Sequence, residues 1–318
     1  MKNLKDMARN IAAAEIFSHM ASKEKSQKLY DELKSQPDEM LDFMAKFSGI
    51  PEHHLSIHRA MVKGEDNPFT DGLKKVDGLF KTGDIILMKG KTENAEKLVR
   101  LQRKLYSNTR SSHVAIVHAD FICIDAMPGI GVTNRLVHEI LSDVEDNWRV
   151  IRPRNLDEHA RQLITRACVF YLAQPYKILP STKSAKTYSY CSELARKVYD
   201  NTGISTLGIP NNKIIKPSDF DKLADLQSQW VDVTEEIRPA VDFFRTYPEL
   251  MKVASKLFVD GLKLNRQRFK ERTESLKDIR LAAKAGKISR EKMLELIKII
   301  KEIENNMNHT FWDVSRPA

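Results

Sequence analysis

The chain has 318 residues, 52 of them basic and 43 acidic, for a formal net charge of +9. A hydrophobic share of 42% supports a sizeable core, and only 12 glycines and 12 prolines exclude collagen-like and Pro/Gly-rich disordered classes. No stretch reaches the roughly 20 apolar residues that a membrane-spanning helix needs, and the length leaves room for two or three units.

At the N-terminus, Lys2, Lys5 and Arg9 precede the run Ile11–Phe17 in the manner of a secretory leader. Glu15 interrupts that run and no small-residue cleavage site follows. We therefore expect no signal peptide and a cytoplasmic protein, unless a dedicated secretion machine exports it. Residues 1–50 are predicted helical, with Leu41, Phe43, Met44 and Phe47 at helical spacing and Gly49 and Pro51 as the stop. Residues 51–78 are mixed, with turn signals at Gly64, Asn67-Pro68 and Asp71-Gly72. An N-terminal helical region is placed at 1–75.

Residues 76–235 are expected to form the central domain. Within it Asp84–Met88 reads as a buried strand and 92–107 as a helix. The runs His113–Val117 and Phe121–Asp125 read as two strands close enough for a hairpin. Residues 129–132 and 148–151 read as further short strands. A helix over 156–173, a polar loop over 174–190 and a helix over 191–201 follow. Residues 236–318 are read as a C-terminal helical hairpin, 249–284 and 289–307, divided at Gly286. Its second arm sets Met293, Leu294, Leu296, Ile297, Ile299 and Ile300 against charged residues, which makes it amphipathic. The expected class is α+β, a small antiparallel sheet with helical segments at both ends.

Three cysteines, Cys123, Cys168 and Cys191, cannot all pair, and their number fits a reducing compartment. Cys123 and Cys168 sit among apolar neighbours and are read as core. Cys191 follows a polar loop and opens a helix. A helix N-terminus carries partial positive charge, lowers a thiol pKa, and offers unpaired N–H groups to a developing oxyanion. His113 begins an otherwise apolar strand, a rigid place from which an imidazole could serve that thiol.

Asp125 lies twelve residues after His113. If His118-Ala119-Asp120 forms a three-residue loop, Val117 pairs with Phe121 and His113 with Asp125. Directly opposed side chains share a face, with Cβ atoms about 4.5–5.5 Å apart. Asp125 could then hold one imidazole nitrogen and leave the other for the thiol. A two-residue loop, Ala119-Asp120, would put Asp125 on the other face. Glu139 is the alternative orienting residue.

The order Gly83-Asp84-Ile-Ile-Leu, Ser112-His113-Val-Ala-Ile-Val, Ile124-Asp125-Ala, Gln174-Pro175-Tyr176 and Tyr190-Cys191-Ser-Glu-Leu resembles the circularly permuted NlpC-type papain-like cysteine peptidases. The YiiX/YebB-like group is the nearest branch, and lecithin:retinol acyltransferase-like proteins belong to the wider set. The resemblance covers roughly residues 79–205. It implies a papain-like fold with a small antiparallel sheet against the nucleophile helix. It implies a triad of Cys191, His113 and Asp125, and a substrate site at Tyr176, with Tyr190 beside the nucleophile read with it. Relatives often carry Glu or His in the third position, so Asp125 is a shorter variant. The Tyr190-Cys191-Ser-Glu-Leu motif differs from that of the acyltransferase branch and favours hydrolysis.

The expected activity is that of a cysteine hydrolase working through a thioester, on a peptide, isopeptide or cell-wall amide. The enzymatic alternative is a lipid ester or thioester. An acidic, wet groove would favour peptide, and a deep apolar pocket beside Cys191 would favour acyl chains. A binding module or secreted effector is the reading from another class. No cofactor, metal or nucleic-acid partner is expected. His54 and His58 form an i, i+4 pair near His53, but no third ligand of clear spacing follows. Gly129-Ile-Gly131 lacks the residues of a phosphate loop. The basic stretch Lys263–Lys287 is interleaved with Glu271, Glu274 and Asp278 and reads as a solvated face. The C-terminal helices are expected to pack on the core or on a protein partner.

Overall fold

A computed structural model describes residues 22–181, 187–204 and 207–306 of the chain. The leader-like run Ile11–Phe17 lies outside the described residues. Chain order is α1 (Lys23–Lys34), α2 (Asp38–Phe47), a short 3-10 turn (Glu52–His54), α3 (Leu55–Lys63), α4 (Pro68–Val76), β1 (Ile85–Met88), α5 (Glu93–Gln102), β2 (His113–Ala119), β3 (Ile122–Met127), β4 (Gly131–Leu136) and α6 (Val137–Ser142). It continues through β5 (Arg149–Pro153), α7 (Glu158–Tyr171), α8 (Cys191–Asp200), α9 (Pro217–Leu226), β6 (Trp230–Asp232), α10 (Thr234–Thr246), α11 (Pro248–Lys284) and α12 (Arg290–Asn306).

The chain divides into two compact units, one running from Asp66 to Ala254 and the other made of the segments before and after it. In the outer unit, Ser22 caps α1 and Ser289 caps α12 through their hydroxyls. Leu41 and Ala45 are the buried face of α2.

The central unit holds a six-stranded sheet in the order β4-β3-β2-β1-β5-β6. Every neighbouring pair is antiparallel, so the class is α+β. β1 lies between β2 and β5 and is buried along its whole length, which is why Ile85-Ile-Leu-Met88 reads as an unbroken apolar run rather than an alternating one. α8 packs against β2 and β3.

Side-chain caps place the helix starts. Asn67 accepts from Thr70 N at 2.9 Å with Pro68 at the first helical position, and Asp157 accepts from Ala160 N at 2.7 Å. α9 and β6 were not among the predicted elements. α9 begins with Pro217, and Asp219 accepts from Lys216 N at 2.7 Å. β6 has three residues, too few for any period to show.

The Gly83-Asp84 pair is structural. Asp84 is fully buried and takes two bonds from Arg152, each 2.8 Å, while Arg152 also donates to Leu79 O at 2.6 Å. Gly83 has φ +94°, and a Cβ there would stand 2.7 Å from Leu156 Cδ1. Its carbonyl accepts from the Tyr199 hydroxyl, which ties the far end of α8 to the start of β1.

Candidate active site

His113 and Asp125 meet on one face of the sheet by a route other than the predicted loop. The turn between β2 and β3 is Asp120-Phe121, with Asp120 at φ +42° and Ala119 opposite Ile122. That register alone would put His113 and Asp125 on opposite faces. A bulge then inserts His118, so that Val117 faces Cys123 and Ile116 faces Ile124. Continued along the strands, this sets Ala115 opposite Asp125 and Met127 opposite His113. The direct His113–Asp125 pairing expected from a three-residue loop is therefore replaced by a diagonal one on the same face. His113 Nε2 lies 2.9 Å from Asp125 Oδ2. Asp125 is fully buried, and the same oxygen accepts from Arg135 Nη1 at 3.3 Å. Arg135 also donates to Glu139 O at 3.2 Å.

Cys191 is the first residue of α8, and the capping residue Tyr190 makes no side-chain bond to the helix start. No side chain of the capping residue covers the first turn. Cys191 is buried, and it lines the same cavity as His113. With Nε2 engaged by Asp125, the ring nitrogen left for sulfur is Nδ1.

Burial acts against charge on both groups, but each overcomes it through the other. The Cys191 thiol is held below its ordinary value by the charge and hydrogen bond of His113, with further bonds from Ser192 and the Val114 backbone. His113 is pushed up to about 10 by Cys191 and Asp125 against the opposing effect of burial. Each shift favours the charged form of its group.

Gln174-Pro175-Tyr176 is clamped from two sides. Gly131, at φ +85°, lets β4 approach so closely that a Cβ would stand 2.2 Å from Gln174 O. Val132 N donates to that oxygen at 2.8 Å. The Gln174 side-chain oxygen accepts from Ser189 Oγ at 2.9 Å and from Lys197 Nζ at 3.0 Å. Lys197 is fully buried on α8, donates to Tyr188 O at 2.7 Å and stands over the Tyr171 ring at 4.5 Å. Burial draws its pKa down to about 7, with Glu193 opposing and Arg196 assisting. Neither Arg135 nor Lys197 was singled out in the sequence, where each is one cation among 52.

A cavity of about 410 Å³ opens beside the pair. Cys191, His113, Tyr176 and Tyr190 all line it, with an apolar wall that includes Met88, Leu98, Ile140, Val144, Ile178 and Ile215. Arg135, Asp143 and Lys216 supply its charged groups. Burial and the nearby sulfur hold Tyr176 up at about 12, and burial and Glu193 do the same for Tyr190. Both hydroxyls stay protonated at neutral pH. The Tyr190 oxygen accepts from Ile215 N at 3.1 Å, which fixes one wall.

The other candidates fall elsewhere. Glu139 bonds Leu136 N at 3.1 Å at the start of α6. Cys123 and Cys168 are fully buried, and burial raises both thiols. His54 and His58 are buried, and among the described residues no group of three or more His, Cys, Asp or Glu is placed to hold a metal ion. No described helix is long and apolar enough to cross a membrane.

Comparison with known proteins gives a match over residues 80–260 to the family described as permuted papain-like amidase enzyme, YaeF/YiiX, C92 family. The chain is also similar to the metalloprotein yiiX from Escherichia coli, seen in a crystal structure. The two are 19% identical with a TM-score of 0.39, over 48% of this chain and 95% of that one. A search of curated proteins found no match.

Proposed function

Since the chain belongs to the permuted papain-like amidases of the YaeF/YiiX, C92 family, we propose that it hydrolyses an amide with an apolar acyl group through a thioester on Cys191. The single observation that carries this reading is the Asp125–His113 hydrogen bond together with Cys191 and His113 at the wall of one apolar cavity.

The steps follow from the groups present. Cys191 Sγ, anionic beside His113, adds to the carbonyl carbon, and the electron pair of the C=O moves to oxygen. N–H groups of the first turn of α8 face that oxygen. The C–N bond then breaks, and the proton on His113 Nδ1 goes to the leaving amine. A water adds to the thioester as His113 takes its proton. The acid departs and the thiolate–imidazolium pair is restored. Asp125 holds the ring through Nε2 throughout.

The wall chemistry favours an acyl chain over a charged peptide. Cavities of about 300–1,000 Å³ with apolar linings and few polar groups are typical of small-molecule sites. An ester or thioester of the same acyl chain would meet the same wall, and it is the second reading. The experiment is a matched series of amide and thioester substrates with acyl groups of two to twelve carbons, followed by mass analysis of the trapped protein. The proposal expects acyl mass on Cys191, amide cleavage and none of either in Cys191→Ala. Amide hydrolysis that persists in Cys191→Ala would defeat it.

A further inference from the structure

An apolar surface extends outward from the cavity mouth. Leu98, Leu101 and Leu105 follow at helical spacing along α5 and the turn that continues it, where Tyr106 N still bonds Gln102 O at 3.0 Å. They are 40%, 60% and 70% exposed, whereas Val99 and Gln102 on the inner side are buried. Leu98 also lines the cavity, so the stripe runs directly into it. Ile178 lines the cavity as well, and with Leu179 it is about half exposed.

The charges beside these residues are mostly positive. Arg100 and Lys104 flank the stripe, and Lys177 and Lys213 are exposed neighbours of the lining residues Ile178 and Ile214. Ser181 N donates to Lys213 O at 2.7 Å, which joins those two segments. The acids nearby are engaged. Glu93 pairs with Lys97 at 2.6 Å, Glu96 with Lys89, and Asp143 stands 3.5 Å from Arg135.

We infer that this face docks on an anionic phospholipid bilayer and that the cavity receives its acyl chain from there. Exposed leucines in a basic surround bind such interfaces by apolar insertion and attraction to headgroups together. The occupant is a bilayer because the stripe is continuous with the cavity mouth. A protein seated on it would close the entrance, whereas a membrane supplies what enters. The inference rests on the acyl-amidase reading only for what the cavity takes up.

The test is vesicle flotation of the full chain carrying Cys191→Ala, which removes turnover from the readout. Phosphatidylglycerol/phosphatidylcholine vesicles are compared with pure phosphatidylcholine. The expected result is binding to the anionic vesicles that falls about ten-fold or more in Leu101→Asp/Leu105→Asp and in Arg100→Glu/Lys104→Glu. Iodoacetamide labelling of Cys191 in the matching variants that retain it reports an intact fold. The charge-reversal pair serves if the leucine pair fails that check. No binding to anionic vesicles, equal binding to both lipids, or full binding by a folded variant would overturn the inference. So would a wild-type dimer that the leucine pair dissociates. Vesicle binding without any acyl-enzyme in the wild type would leave docking standing and remove the amidase reading alone.

Discussion

His113 and Asp125 are hydrogen-bonded at 2.9 Å from diagonal, not opposed, positions on β2 and β3. The inserted His118 is what brings the two onto one face, since the tight Asp120-Phe121 turn alone would separate them. His118 is itself fixed, with its Nε2 2.8 Å from Asn134 Oδ1. If Asp125 orients the imidazole, Asp125→Asn lowers kcat by about 10²–10⁴-fold, the usual range for a positioned acid–base group, with KM little changed. Steady-state rates on the amide substrate measure this. A loss under about three-fold would remove Asp125 from the proposed triad.

The Cys191–His113 pair predicts a particular pH profile of alkylation. Cys191 is held below the ordinary thiol value, so iodoacetamide labels it at pH 6 faster than free cysteine. In His113→Ala the charge and hydrogen bond of His113 that lower it are gone, and only the bonds from Ser192 and the Val114 backbone still oppose burial. The labelling midpoint then moves up. Identical profiles for the two proteins would show that His113 does not activate the thiol.

The apolar wall can be tested at its edge. Leu98→Asp places a carboxylate at the cavity mouth on the outer side of α5, where the helix stays hydrated. It is expected to lower kcat/KM for a long acyl amide by about ten-fold or more, the scale of one or two lost apolar contacts. The shortest acyl amide should be spared. Equal losses for short and long chains would argue against an acyl site there.

Lys197 gives a stability prediction of defined sign. Its folded value, about 7, lies below the value of about 10.4 expected for a solvated lysine. Between those values the unfolded chain holds more protons than the folded one, so this group makes stability rise as pH climbs from about 7 toward 10. In Lys197→Met that contribution is lost and the slope falls. The variant also leaves Tyr188 O without this donor, a cost of about 1–3 kcal/mol. Denaturant titrations of both proteins from pH 7 to 9.5 check the two effects. Parallel curves would contradict the lowered value.

Much of the site was legible because it is local. The apolar run Ile85–Met88 and the strand after His113 showed in the pattern, as did a cysteine opening a helix. The motif order also pointed to the permuted papain-like family that the match over residues 80–260 shows. Asp125 was legible as a candidate, although its route to His113 was not. A bulge adds one residue to one strand, and nothing in the period of either strand announces it.

The sequence by itself determined the α+β class and most element types, and it marked Cys191, His113 and Asp125 as candidates, since helical and strand periods and a helix-opening thiol are properties of neighbouring residues. Only the tertiary structure decided the diagonal pairing of His113 with Asp125, the Gln174–Lys197 clamp and the apolar cavity. Each joins side chains from different elements, such as Leu98 on α5, Ile140 on α6 and Ile215 before α9. Their approach is set by how whole elements pack, and no spacing along the chain carries that information.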